Sequence, residues 1–413
     1  MTGIVVPLGF LTLGCELILP ALGRLLAVPL TWVTMLLVHV VQWFAHFSGW
    51  SYRIPGPPPW LVVVFLSAGV LLAVTARIPK PWSGWTFRCA AGVLAVSALT
   101  IATSPFAPRW LDGKLELTVL DVGQGDSLLI VSPHGKTLLI DGGGSFGGFT
   151  GREERNGIDP GEDAVSPYLW SRYQRLDVVA LTHAHQDHIG GLTAILENFR
   201  VRTLWIGREV ESPALANLEK VARERRILIV HEIRGNVASW DGIEAQFLWP
   251  EIAPGEVGPA PKNNDSLVLR LKYGERTLLL PGDAEKQAES TMLGENSETA
   301  LRADVLKVGH QGSKNSTMPD FLAAVHPRIA VISAGEDNNP YGHPNTELIE
   351  RLETAGVRIL RTDRDGAVHV LTDGKQLEVS CFVACPDTFA STVPARAQTA
   401  RSREVTRATE KNQ

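Results

Sequence analysis

Residues 182–191 read Thr-His-Ala-His-Gln-Asp-His-Ile-Gly-Gly and follow the β-branched run Asp-Val-Val-Ala-Leu at 177–181. A strand therefore ends where the histidines begin, and a helix is expected from about residue 188. Imidazoles two apart in an extended loop, His183 and His185, can turn their nitrogens toward one ion. Asp187 and His188, on the first helical turn, can face a second. Three imidazoles and a carboxylate suit zinc, manganese or iron. Gly190 and Gly191 let the helix pack closely against the strand end. A chance cluster of histidines on a surface loop would not need position, spacing and glycines to agree.

A two-ion site also needs a bridging carboxylate and further ligands, and later strand ends offer them. Asp283, in the stretch Leu-Pro-Gly-Asp-Ala-Glu at 280–285, ends a strand after a tight turn. His310 ends another, within Val-Gly-His-Gln-Gly-Ser at 308–313, and His343 precedes a helix start at Pro344-Asn345. His231 also ends a strand and is a weaker candidate. His134 in a turn, His326 before a proline and His369 inside a strand have no such placement. Lys307, Lys314 and Asn315, with the backbone N–H groups around Gly312 and Ser313, could cradle a phosphate or equally be solvated surface.

Around these motifs, residues 115–122, 126–132 and 136–144 read as three consecutive strands, and 203–207, 226–232 and 244–250 as strands around a helix at 212–225. Residues 266–274 and 276–284 form a hairpin pattern. Strands follow at 303–310, 328–335, 357–363 and 367–373, with a helix at 345–355. Two runs of strands with helices interspersed predict two mixed sheets packed together with helices outside, an α+β domain over 111–387. Residues 145–164 read as a mobile, Gly-rich surface loop, and 388–413 as a disordered tail. Cys381 and Cys385 lie in a strand-like run, about 13 Å apart at strand rise, which is too far for a bridge.

The chain has 413 residues, 45% of them hydrophobic and 20% charged, with a formal net charge of −5. That composition excludes collagen-like, disulfide-scaffold and wholly disordered chains. The average hides a division. Residues 1–110 hold six basic side chains and one acid, Glu16, while 111–387 hold 28 basic and 41 acidic groups. Apolar stretches at 4–22, 28–50, 59–76 and 88–104 are expected as four transmembrane helices, placing the chain in the cell membrane as a multi-pass protein. A signal peptide is excluded by the missing basic n-region and the repeated apolar segments. His39, Gln42 and His46 form a polar stripe at helical spacing, read as neutral side chains hydrogen-bonding a neighbouring helix. Arg77, Lys80 and Arg88 lie in one loop and only Arg53 in the previous one. The positive-inside bias then puts residues 77–88 in the cytoplasm and the domain after Trp110 outside it.

The His-x-His-x-Asp-His motif, with a later Gly-Asp and strand-end histidines, resembles the metallo-β-lactamase superfamily. Further stretches narrow the resemblance: Leu-Asp-Val-Gly-Gln-Gly-Asp-Ser at 120–127, Leu-Ile-Asp-Gly-Gly at 139–143, Asp-Ser-Leu-Val-Leu at 265–269, Lys-Val-Gly-His-Gln-Gly-Ser at 307–313 and Tyr-Gly-His-Pro at 341–344. With apolar spans upstream, the series resembles the C-terminal part of ComEC, the channel family for DNA uptake in natural competence. The resemblance implies an αββα sandwich with two divalent ions, zinc or manganese, in a cleft at the sheet edges. It also implies cleavage of the DNA strand that does not enter the cell. Carried over by position, His183 and His185 would hold one ion, and Asp187 and His188 the second. Asp283 would bridge them, and His310 or His343 would complete the second site. His185, Asp187 and Asp283 would form the catalytic group. Asp126 and Asp141 would orient the ligand histidines or serve the fold.

The implied partners are single-stranded DNA, the membrane, and a separate channel subunit or a missing N-terminal channel half. The pattern departs from the family in two places. Only His231 lies where relatives often carry another histidine, and His310-Gln311 stands where many show two adjacent histidines. Acidic balance favours a rival reading, hydrolysis of a small ester or lactam, because a phosphate backbone normally meets a basic groove. A third reading is a channel component that only binds DNA or partners.

Overall fold

The computed structural model describes residues 2–45, 56–77, 83–103, 113–144, 159–173, 175–253, 256–295, 298–335, 342–383 and Cys385. They fall into two compact units, divided between residues 54 and 55. In the first, α1 (Thr2–Ile18) and α2 (Pro20–Ala45) form an apolar helical pair. The break expected between residues 22 and 28 falls instead at Leu19, because the ring of Pro20 disfavours helix at the residue before it. His39 Nδ1 donates to Met35 O at 2.8 Å, within its own helix; His46 lies outside the described residues.

The second unit begins with α3 (Pro59–Thr75) and α4 (Ser83–Thr103). Among the described residues, Pro20–Phe44 and Gly84–Thr103 are long and apolar enough to cross a membrane, with mean hydropathies of 1.8 and 1.5. Val5–Ile18 and Pro59–Thr75 are apolar but shorter. Four helices thus stand where four spans are expected, and two of them have spanning length.

The remaining chain forms β1 (Leu115–Val119), β2 (Leu128–Val131), β3 (Thr137–Ile140), β4 (Arg175–Leu181), β5 (Arg200–Ile206), β6 (Leu228–His231), β7 (Val237–Trp240) and β8 (Ile243–Trp249). Then follow β9 (Val268–Tyr273), β10 (Arg276–Leu280), β11 (Val305–Lys307), β12 (Ile329–Ile332), β13 (Arg358–Arg361), β14 (Val368–Thr372) and β15 (Leu377–Cys381). One sheet has the order β15-β14-β1-β2-β3-β4-β5-β6, and the other β13-β12-β11-β10-β9-β8-β7. Each sheet changes from antiparallel to parallel pairing once, at β3 to β4 in the first and at β10 to β11 in the second.

Side-chain alternation explains the layers. Leu128 and Ile130 of β2 join Leu138, Leu269, Leu278 and Val305 in the core between the sheets. Leu129 and Val131 point the other way, onto a cluster with Leu192, Ile195 and Leu218 from the outer helices Leu192–Asn198 and Pro213–Glu224. The second sheet likewise packs Leu279, Leu306 and Ile332 against Phe321, Leu348 and Leu352 of Pro319–Val325 and Thr346–Thr354. Strands buried on both faces read as continuous apolar runs, which is why they were visible in the sequence. Full burial of a side chain such as Phe321 contributes about 1.5–3 kcal/mol. The result is the αββα arrangement expected.

Two expectations need correction here. Residues 145–158 lie outside the described residues, but Pro160 to Ala164 are not exposed loop: they enter a helical turn, Gly161–Val165, with Pro160, Gly161 and Val165 buried. Cys381 and Cys385 form a disulfide, with Cα atoms 5.1 Å apart. The strand ends at Cys381 and the chain bends through Phe382 and Val383, whose N–H groups donate to Ala367 O and Asp365 O, so strand rise does not apply beyond it.

Candidate metal centre

The pairing switch positions the site. In open mixed sheets, loops leaving the carboxyl ends of the strands on either side of such a switch diverge and leave a crevice. Asp141 follows β3, the histidine motif follows β4, Asp283 follows β10 and His310 follows β11. The two sheets therefore present four strand ends to one place.

Within the motif, the chain stays extended to His185 and turns helical at Gln186–Ile189, two residues earlier than expected; a second helix starts at Leu192. Gly144 seats this turn: a Cβ there would lie 1.8 Å from Gln186 O. Gly125, at φ 101°, meets the same turn from the β1–β2 loop, with Asp187 O 2.1 Å from its missing Cβ. Only glycine permits either approach.

Asp141 organises the interior. Its carboxylate accepts from Thr182 N at 2.8 Å, Thr182 Oγ1 at 2.7 Å and His188 Nδ1 at 2.7 Å. His188 is fully buried, and its other nitrogen, Nε2, lies 3.1 Å from Asp283 Oδ2 and 3.5 Å from Asp187 Oδ2. Burial opposes protonation of this ring, but Asp283, Asp187 and Asp141 outweigh it and hold its pKa well above the ordinary histidine value. His188 in turn keeps Asp187 and Asp283 below the usual carboxylate range despite the burial of both.

The neighbouring pair shows what the pocket lacks. His183 Nδ1 lies 3.2 Å from Thr182 Oγ1, whose own proton goes to Asp141, and 3.3 Å from Ser266 Oγ, and the other nitrogen of its ring is Nε2. His185 Nε2 donates to Pro261 O at 3.2 Å, leaving its lone pair on Nδ1. These two nitrogens face each other at 2.9 Å. Burial, then the charge of His188, holds His183 well below the ordinary histidine value, hence neutral. Two imidazole nitrogens turned toward each other can serve one cation together once neither carries a proton. His188 Nε2 and Asp283 Oδ1 are likewise buried without a hydrogen-bond partner. Ligand atoms of His183, His188 and Asp283 lie within 4.8 Å of one another. The residues fit a divalent ion.

His310 completes the mouth. Its Nδ1 donates to Glu285 Oε1 at 3.0 Å, which turns Nε2 toward Asp283 Oδ2, 3.8 Å away. Glu285 was not singled out in the sequence; its place two residues after Asp283 was the available signal. His343 stacks edge-on against His310, with ring centroids 5.2 Å apart. His310 and Gln311 both occupy left-handed backbone, at φ 48° and 51°. Such strain in non-glycine residues concentrates at functional sites.

Not every candidate reaches the crevice. Lys307 is 1% exposed and ion-paired to buried Asp126, behind the histidines, so it is not available to a phosphate. β11 carries it between the sheets, beside Leu128, Leu267 and Leu280. Asp126 therefore serves this ion pair and not the orientation of a ligand ring. Ser313 is buried and its N–H donates to His310 O at 2.8 Å, so that N–H is not free for a phosphate. Lys314 and Asn315 are exposed in the turn that follows. His231 sits at the end of β6, pairing with Glu209 at 3.3 Å and apart from the cluster.

Fold and site define a metal-dependent hydrolase class, and the sequence profile of the Metallo-beta-lactamase superfamily matches residues 120–336. The chain belongs to that superfamily, whose fold implies divalent-metal binding. More particularly, it is 33% identical over 82% of its length to ComE operon protein 3 of Bacillus subtilis. It is 29% identical over 79% of its length to Competence protein ComA of Neisseria gonorrhoeae. The chain covers 42% and 40% of these relatives, respectively. The resemblance to the ComEC family rests on such homologues. Among solved structures, the metallo-beta-lactamase fold protein YhfI from Bacillus subtilis aligns with a TM-score of 0.37 at 14% identity, covering 60% of this chain and 95% of that one.

Proposed function

We propose that the chain is a membrane-anchored, metal-dependent phosphodiesterase that cleaves single-stranded DNA during DNA uptake. The observation that carries the metal-dependent part is the buried cluster of His183, His188 and Asp283, whose ligand atoms lie within 4.8 Å of one another, with His188 Nε2 and Asp283 Oδ1 lacking hydrogen-bond partners. In this reading His183 and His185 hold one ion, zinc or manganese, and Asp187 and His188 a second. Asp283 lies between them, and His310 and His343 complete the open side. Bound divalent ions supply an activated water at neutral pH and neutralise charge on a phosphate. Asp141 fixes the tautomer of His188, Glu285 that of His310, and Pro261 O that of His185. The likeness to competence proteins supports DNA as the substrate.

The full chain in detergent should cut single-stranded DNA when supplied with Mn2+ or Zn2+, and His185→Ala or Asp187→Ala should abolish cutting. Metal binding without DNA cleavage would instead favour a small ester or lactam substrate. The 41 acidic against 28 basic groups over 111–387 support that second reading.

We further propose that α2 and α4 anchor the chain and that the sandwich lies outside the cytoplasm. The Cys381–Cys385 disulfide supports this, since such bonds persist in oxidising compartments. A Glu224→Cys reporter on an exposed helix should react with a membrane-impermeant thiol reagent in intact cells. Labelling only after lysis would contradict the orientation.

A further inference from the structure

We propose that Gln311 is a positioning residue for Asp187, and that Gln124 fixes which end of its amide Asp187 meets. The inference rests on the reading of Asp187 as a metal ligand. Gln311 is 1% exposed and follows His310 in a second consecutive left-handed conformation, at φ 51° and ψ 23°. That backbone is costly for a residue with a Cβ and persists only where surrounding contacts over-determine it. The side chain supplies such contacts. Gln311 Nε2 donates to Asp187 Oδ2 at 2.6 Å, and Gln124 Nε2 donates to Gln311 Oε1.

The polarity of this chain matters. A carboxylate can only accept, so Asp187 requires the NH2 end of the glutamine. An amide can turn over and present its oxygen instead, which would repel the carboxylate. Gln124 prevents that by occupying the oxygen. With its oxygen accepting from Gln124, Gln311 presents its NH2 group to Asp187. The oxygen of Asp187 that Gln311 holds, Oδ2, is also the one 3.5 Å from His188 Nε2. The three residues come from the loop after β1, the turn after β4 and the turn after β11. Asp187 is thus tied to both sheets, and the glutamine that stands where many relatives show a second histidine has a role of its own.

The test is titration of Mn2+ into the full chain in detergent, with melting temperatures recorded in chelator. Gln311→Leu removes the donor at similar volume, and loss of such an outer hydrogen bond to a ligand typically weakens metal affinity by about 10–100-fold. Gln124→Leu leaves the Asp187 contact in place but frees the amide, so a smaller loss, roughly severalfold, is expected. Metal-free melting of the Gln124→Leu variant should stay close to that of the parent chain. Parent-like Mn2+ affinity in both variants would overturn the inference while leaving the metal reading intact. Absence of Mn2+ binding by the parent chain would overturn the metal reading and this inference with it.

Discussion

Asp141 accepts three hydrogen bonds from a strand end and a ligand histidine while holding a φ of 59° itself. It touches no crevice, yet it decides which nitrogen of His188 is free to meet Asp283. Asp141→Asn puts an NH2 against one of the three donors, so His188 loses its orientation. Affinity for Mn2+ should fall by about 10–100-fold, read by calorimetric titration, and an unchanged affinity would show that His188 is oriented without it. Strand-end position makes His183, His188 and Asp283 legible in the sequence, because a carboxylate or imidazole ending an apolar run has few other uses, whereas Asp141 enters only through the family resemblance. Lys307 and Ser313 were misread for the opposite reason. Their neighbours in the sequence are those of a phosphate loop, and only packing shows that one is paired inside the core and the other has spent its N–H. Glu285 meets His310, and Gln311 meets Asp187 and Gln124, across long stretches of chain, and a sequence does not carry such contacts.

The strands show the same division. Runs buried on both faces, such as β2, β3 and β10, were evident from apolar content alone. β7 was missed because Val237-Ala-Ser-Trp240 is short, half exposed and on a sheet edge. The cysteine pair was misjudged by extending a strand past its last residue. Between the sheets, Lys307 of β11 and Asp126 of the β1–β2 loop form a buried cross-link that ties the two layers directly behind the histidines. Removing one partner strands a charge in the core. Lys307→Met should cost about 3–5 kcal/mol in denaturant titrations of the full chain, and Lys307→Met/Asp126→Leu should recover most of it. A double variant no more stable than the single one would mean that the pair is not the link described.

Taken whole, the sandwich turns four loops from two differently connected sheets toward one point, and the acidic groups gathered there need cations. Asp141, Asp187 and Asp283 surround His188, and ring nitrogens of His183 and His185 face each other at 2.9 Å nearby. Without a cation that cluster is a collection of unmet acceptors, and with one it is a centre. The most direct measurement is elemental analysis of the full chain purified in detergent and dialysed against Mn2+ or Zn2+, beside an Asp283→Ala variant. Stoichiometric metal in the parent chain, reduced in the variant, is the result expected. A parent chain with no more metal than the variant would contradict the assignment of these residues as a metal centre.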